Sequence, residues 1–173
     1  MADPEGLFAA YHHRVFKYFC RAVGQGDTAR DLTQEVFLRV SRSPVATNGD
    51  GSAWLFRIAR NIVLDHHRSR SRHPESPALT HDEATRPAHQ DVSTAVNEAM
   101  AALPALDRDV FLMREVAGLG YDEIAEACEL SPDAVRSRIH RTRVQLRDQL
   151  AAPIATSRTM ATTRSGRTRK DDQ

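Results

Sequence analysis

Long apolar runs are missing from this chain of 173 residues. That excludes a helix able to cross a bilayer, which needs about 20 consecutive apolar residues. No signal-peptide pattern stands at the N-terminus, so a soluble, cytoplasmic protein is expected. Cysteine is scarce: Cys20 and Cys128 fall on separate predicted helices and read as structural free thiols. Net charge is also scarce, at +1. Any grip on nucleic acid must therefore come from local basic patches. Strand signals are absent, with no sustained two-residue alternation and no Asn-Gly or Asp-Gly turn between β-branched runs. There is no Walker loop, no dinucleotide-binding glycine pattern, and no Ser-His-Asp or Cys-His constellation, so no enzyme is expected. The histidines do not frame a metal site either. His12-His13 and His66-His67 are adjacent pairs whose members point to different sides of a helix, and no Cys-x-x-Cys or His-x-x-x-His pair occurs. Neither a metal nor a cofactor is expected, nor a small-molecule substrate.

What is present is helical periodicity. Hydrophobic residues at 40% and charged residues at 27% allow a buried core. From about Asp3 to Val23, Leu7, Phe8, Tyr11, Val15, Phe16 and Phe19 make one apolar stripe behind the start signal Asp3-Pro4-Glu5, and Gly24-Gln25-Gly26 ends it. A second helix, about Asp27 to Arg42, is expected to bury Ala29, Leu32, Val36, Phe37 and Val40. Ser43 to Gly51 reads as a loop. Ser52 then caps a third helix with the stripe Trp54, Leu55, Ile58, Ala59, Ile62 and Val63, ending in the basic run Arg68 to Arg72. Residues 73–91 hold prolines and few apolar groups and read as a flexible linker. Helical pattern resumes at about Asp91 and runs, with a break at Pro104, to Leu150. Residues 151–173 are mostly Thr, Ser, Ala and Arg, a basic tail that buries too little to become ordered. The expected architecture is all-α: two small helical domains, 3–72 and 92–150, joined by a polar tether.

The most informative stretch is Leu119 to Leu146, LGYDEIAEACELSPDAVRSRIHRTRVQL. It reads as two short helices joined by a tight turn, a helix-turn-helix that places one helix in the DNA major groove. Ile124, Ala125, Cys128 and Leu130 form the apolar side of the first helix, and Val135, Ile139 and Leu146 that of the second. Ser131-Pro132-Asp133 is a helix start, with a hydroxyl cap, a proline where no N–H is needed, and an acid in the first turn. On the polar side, Arg136 and His140 are four apart, as are Ser137 and Arg141, so these four share a face suited to base edges. Arg138 and Arg143 lie to the side and suit phosphates.

Two further blocks stand upstream, DLTQEVFLRV (Asp31 to Val40) and AWLFRIARNIVLDHHRSR (Ala53 to Arg70). With the helix-turn-helix, they make the chain resemble the extracytoplasmic function (ECF) sigma factors, small members of the sigma-70 family of bacterial RNA polymerase specificity subunits. The resemblance spans about Leu7 to Leu150. It implies that 3–72 is region 2, which binds core polymerase and recognises and melts the −10 element, and that 92–150 is region 4, which recognises the −35 element. It implies a docking surface for the β′ clamp coiled coil at Asp31, Gln34, Glu35, Leu38 and Arg39. The family mostly has an acid where Arg30 stands and an aromatic where Ser41 stands, while the DLTQE core is intact. It assigns Trp54, Arg57, Arg60, Asn61, Asp65 and Arg68 to the −10 element, with Asn48 in the preceding loop as the reader of an extruded base. Arg136, Ser137, Arg138, His140, Arg141 and Arg143 fall to the −35 element. The implied partners are core RNA polymerase, through the β′ clamp coiled coil and the β flap, promoter DNA, and an anti-sigma factor.

The alternative reading is a stand-alone regulator with a LuxR-like helix-turn-helix, similar over Gly118 to Ile139. Such a protein usually adds a sensing or receiver domain. The first half of this chain shows no βα alternation, and that scheme gives the upstream blocks no role. An interaction module that never touches DNA is a third reading, against which the arginine-rich helix argues.

Overall fold

A computed structural model describes residues 3–24, 26–42, 51–72 and 87–151, and every regular element among them is a helix. Asn48, the linker up to residue 86 and the tail from residue 152 lie outside the described residues.

Helix α1 (Pro4–Val23) starts as its sequence demands: the Asp3 carboxylate accepts from the Glu5 and Gly6 amides, at 3.2 and 2.9 Å. Those amides have no partner inside the helix, and a side-chain cap there contributes about 1 kcal/mol. Gly24 ends the helix at φ +73°, a left-handed conformation in which glycine carries no Cβ penalty. Helices α2 (Gly26–Arg42) and α3 (Ser52–Arg72) pack against α1 and against each other. Their shared interior holds Leu7, Val15, Tyr18, Phe19, Val36, Val40, Leu55, Phe56 and Val63. Two expectations shift here. Phe8, placed in the α1 stripe by periodicity, is 49% exposed and stacks on His12 and edge-on to Phe37. Tyr18, which periodicity left out, is fully buried. The buried sector of α1 is rotated toward α3, which contributes Phe56 edge-on to the Tyr18 ring.

The second half contains α4 (Pro87–Ala101), α5 (Ala105–Glu115), α6 (Tyr121–Cys128) and α7 (Pro132–Ala151). Helix α4 begins before Asp91, with a proline at its first position, where the missing N–H costs nothing. It packs on α7 through a small cluster of Ala99, Leu103 and Leu146. Helices α5, α6 and α7 enclose Val110, Leu112, Met113, Leu119, Ile124, Val135 and Ile139. After α5 the chain turns at Gly118, φ +71°.

The two halves are not separate bodies. Helix α3 lies along α6, α1 touches α5, and one continuous apolar cluster runs through both halves. Polar groups close the seam. Arg14 donates to the Ala117 carbonyl at 2.5 Å, just past the end of α5, and Arg57 to the Glu126 carbonyl at 2.9 Å, in the last turn of α6. Ser52 bonds the Glu123 carboxylate, whose other oxygen accepts from the Gly120 amide at 2.5 Å and so caps α6. Arg60 pairs with Asp109 at 3.2 Å.

Candidate nucleic-acid interface

Helix α7 is set by its start. The Ser131 hydroxyl accepts from the Ala134 amide at 3.2 Å, and Pro132 opens the helix. The turn before it passes through Glu129 in the left-handed region, φ 58°, with the Leu130 amide closing onto the Ala125 carbonyl at 2.8 Å. Val135, Ile139, Thr142 and Leu146 are buried, which turns Arg136, Ser137, His140 and Arg141 outward as one exposed strip. Arg136 is paired with Asp133 at 2.6 Å and lies over the Tyr121 ring, 5.4 Å from its centre. Both contacts hold the guanidinium at the N-terminal end of the helix, the end that enters a major groove.

The flanking arginines are held differently. Arg143, 53% exposed at its side chain, reaches Glu115 of α5 at 2.5 Å. Arg138 is 27% exposed and bound to Asp107 at 2.5 Å, so it ties α7 to the start of α5. Its position is that of a strut between helices rather than of a side chain free to reach phosphate.

On α2, Asp31, Gln34, Glu35, Leu38 and Arg39 follow the spacing of a single ridge. Leu38 is 48% exposed at its centre. Glu35 and Arg39 pair at 2.7 Å, both about half exposed. An apolar side chain ringed by charges has the composition of a docking site, with a dry anchor and a polar rim. The Phe8, His12 and Phe37 rings adjoin one another between α1 and α2, a surface cluster that sequence reasoning missed because Phe8 and Phe37 were each credited to a core stripe and His12 was weighed only as a metal ligand.

On α3 the sequence-predicted set divides. Asn61, Asp65 and Arg68 are exposed, the last two 3.5 Å apart. Trp54 is half-buried against the core, Arg57 bonds across the seam, and Arg60 is buried to 22% exposure by its ion pair. Its partner Asp109 is 2% exposed. Burial pushes the Asp109 carboxyl above its ordinary value, and the Arg60 and Arg108 charges oppose that rise. Tyr18 lies beside it, and its phenol is raised chiefly by burial and then by the Asp109 charge. Asp109 was not legible in the sequence as a seam residue, since its partner Arg60 lies on another helix, 49 residues away.

The thiols sit as structural groups. Cys128 is buried with its Sγ 3.8 Å from Met113 Sδ, and burial pushes it up to about 11. Cys20 is half-buried and likewise raised by burial. Among the described residues no helix is long and apolar enough to cross a membrane.

Comparison with known proteins bears on these surfaces. Residues 7–73 match the family model described as Sigma-70 region 2, and residues 93–146 match Sigma-70, region 4. The ECF RNA polymerase sigma factor SigE of Mycolicibacterium smegmatis is 36% identical over 162 residues, covering 87% of this chain but only 63% of that protein. The chain thus spans less than two thirds of that relative's length. The ECF RNA polymerase sigma-E factor of Escherichia coli K12 is 30% identical over 155 residues, covering 79% of this chain and 81% of the relative. Among solved structures, the sigma factor RpoE in complex with the anti-sigma factor NepR from Bartonella quintana superposes with a TM-score of 0.64 at 22% identity, over 86% of this chain and 96% of that one. That likeness shows a shared fold. With both region models matched in order and the E. coli relative covered over most of its length, this chain belongs to the ECF RNA polymerase sigma factors of the sigma-70 family.

Proposed function

We propose that the protein binds core RNA polymerase and directs it to a set of promoters, reading a −35 element through α7 and a −10 element through α3. The observation that carries this is the exposed strip Arg136, Ser137, His140 and Arg141 on a capped second helix, with a separate apolar-centred ridge at Leu38 on α2. The strip offers donors at the spacing of base edges. The ridge suits a protein partner, here the β′ clamp coiled coil, with the β flap meeting region 4. Asn61 and Arg68 are available to a single strand, and Arg57 and Arg60 become so once α3 leaves the seam. Bond formation belongs to the polymerase. An anti-sigma factor is a further proposed partner, supported by the structural neighbour RpoE, which is held in complex with the anti-sigma factor NepR.

Transcription by purified core polymerase on fragmented genomic DNA, with and without the protein, tests the reading. Discrete new 5′ ends sharing upstream elements are expected. Sequence-specific binding by the protein alone, with no new starts, would instead establish a stand-alone regulator. The purely helical first half gives that alternative no sensing or receiver domain among the described residues.

A further inference from the structure

Where the end of α3 passes the start of α5, a cleft of about 460 Å³ opens across the seam. Leu64, His67, Arg68, Ser71 and Arg72 line it from α3, and Ala105 and Arg108 from α5. Three of these are arginines and none is an acid. Among the described residues no carboxylate pairs with Arg72 or Arg108. Arg68 has only the long 3.5 Å contact to exposed Asp65. Asp109, which follows Arg108, is taken by Arg60.

The floor adds to the positive field. Helix α5 begins behind Pro104, with no side-chain cap. Its first amides therefore lack partners, and the partial positive charge of the helix end is not offset by a cap. The acid in its first turn, Asp107, is turned away to Arg138 on α7. On the opposite wall, the buried Nε2 of His67 has no hydrogen-bond partner. Arginine side chains beside uncapped helix amides are the chemistry that holds phosphate. A concave site of this volume falls within the range that takes small ligands.

We propose that this cleft binds a compact polyphosphate, the di- or triphosphate group of a nucleotide or of an inorganic polyanion, and that the anion clamps α3 to α5. Three guanidinium groups and a helix end exceed what a single phosphate needs. The walls come from both halves of the molecule, so the bound anion favours the closed arrangement over any in which the halves part. A DNA backbone is less suited, because of the residues proposed to read DNA only Arg68 lines this concavity. The consequence for transcription, that the ligand withholds Arg57 and Arg60 from promoter DNA, rests on the function proposed above. Binding itself does not.

The test uses the full chain and inorganic tripolyphosphate, titrated calorimetrically at constant ionic strength, with ATP in a second arm and sulfate as the charge control. Saturable one-to-one binding of tripolyphosphate, absent for sulfate, is expected. Equal affinity for ATP would make the phosphate chain the recognised part, and tighter ATP binding would make the ligand a nucleotide; both support the site. The variant Arg72→Gln/Arg108→Gln should lose about tenfold or more per arginine removed. Ala105→Asp is the second variant. It places an acid in the first turn of α5, where it favours the helix, and should abolish binding while thermal stability is kept. Energy transfer between labels on α2 and α7 should show the closed distance held more tightly with tripolyphosphate. No saturable binding, or binding unchanged in both variants, overturns the proposal. Displacement of tripolyphosphate by random-sequence duplex, with duplex affinity lost in the same variants, also overturns it and makes the cleft a DNA-backbone site.

Discussion

Arg136, Arg138 and Arg143 share a helix but not a fate. Arg136 stands at the outer edge of α7, steadied by Asp133 and the Tyr121 ring. Replacing it with alanine should relax sequence choice at one promoter position, at a cost of about 1–3 kcal/mol in binding. Arg143→Ala should weaken all duplexes evenly and lower the salt slope by about one unit. Arg138→Ala should act on the fold instead. Its loss leaves Asp107 half-buried without a partner at the start of α5, and unfolding in urea should show about 1–2 kcal/mol less stability with sequence preference intact. A uniform loss across DNA sequences in all three variants would contradict this division. The spacing of these residues was readable from the sequence. Their acidic partners were not, because Asp107 and Glu115 come from a different helix.

His67 gives the residue scale its pH dependence. Burial lowers its pKa from the ordinary 6.5, and Arg108 of α5 with His66 and Arg70 of its own helix push the same way, against the Ala22 carbonyl of α1. His66 is lowered too, by burial and by Arg70. The unfolded chain therefore takes up protons first as pH falls. The stability these neutral imidazoles permit is complete above about pH 6.5 and declines as pH drops through that value toward their folded pKa. Urea unfolding in phosphate-free buffer between about pH 8 and about pH 5 should follow this sign, and His67→Gln should flatten the slope.

At the scale of the element, the helix ends at Asp3, Gly24 and Ser131-Pro132 were legible, since they act through groups local to the chain. Ser52, expected as a cap, instead lies within α3 and turns its hydroxyl to Glu123 of α6. Burial within each helix was legible only to about one position. Phe8 lies at the margin of its stripe, and only the partner helix decided that Tyr18 and not Phe8 would be enclosed. Thr33 was hidden for another reason. It is buried as a polar residue, with its hydroxyl returned to the Ala29 carbonyl at 2.7 Å. The α2 ridge carries the prediction of this scale. Leu38 has little native burial to lose, so Leu38→Ala should leave thermal stability nearly unchanged while core polymerase affinity falls about tenfold or more. Fluorescence anisotropy of labelled protein against core polymerase, beside a melting curve, separates the two. A large fall in melting temperature would instead make Leu38 part of the core.

On the scale of the whole molecule, two helical units with a linker were legible, and the seam between them was not. Hydrophobic periodicity reports the face a helix buries within its own bundle. The seam continues the apolar cluster from one half to the other, and its polar ties Arg14 and Arg57 end on backbone carbonyls, which carry no sequence signature. This arrangement sets a competition. If Arg60 reads the −10 strand as proposed, it cannot hold Asp109 at the same time, and DNA affinity should then be reduced by the fraction of molecules that are closed. Asp109 is the residue through which to shift that balance, because it lies outside both proposed reading surfaces. Its folded pKa is raised, so its stabilising contribution is complete only below the unfolded value of 3.8 and is lost as pH rises through the folded pKa. At neutral pH the buried carboxylate is therefore a net cost, offset in part by Arg60. Asp109→Asn keeps the shape and an acceptor for Arg60, and should be at least as stable as the parent at pH 7 with the seam closed. Asp109→Ala removes the acceptor and frees Arg60. Energy transfer between α2 and α7 should report a wider separation, and single-stranded −10 DNA should bind more tightly than to the parent. If the alanine variant stays closed, or opens without gaining affinity for the strand, then the ion pair does not govern access to α3.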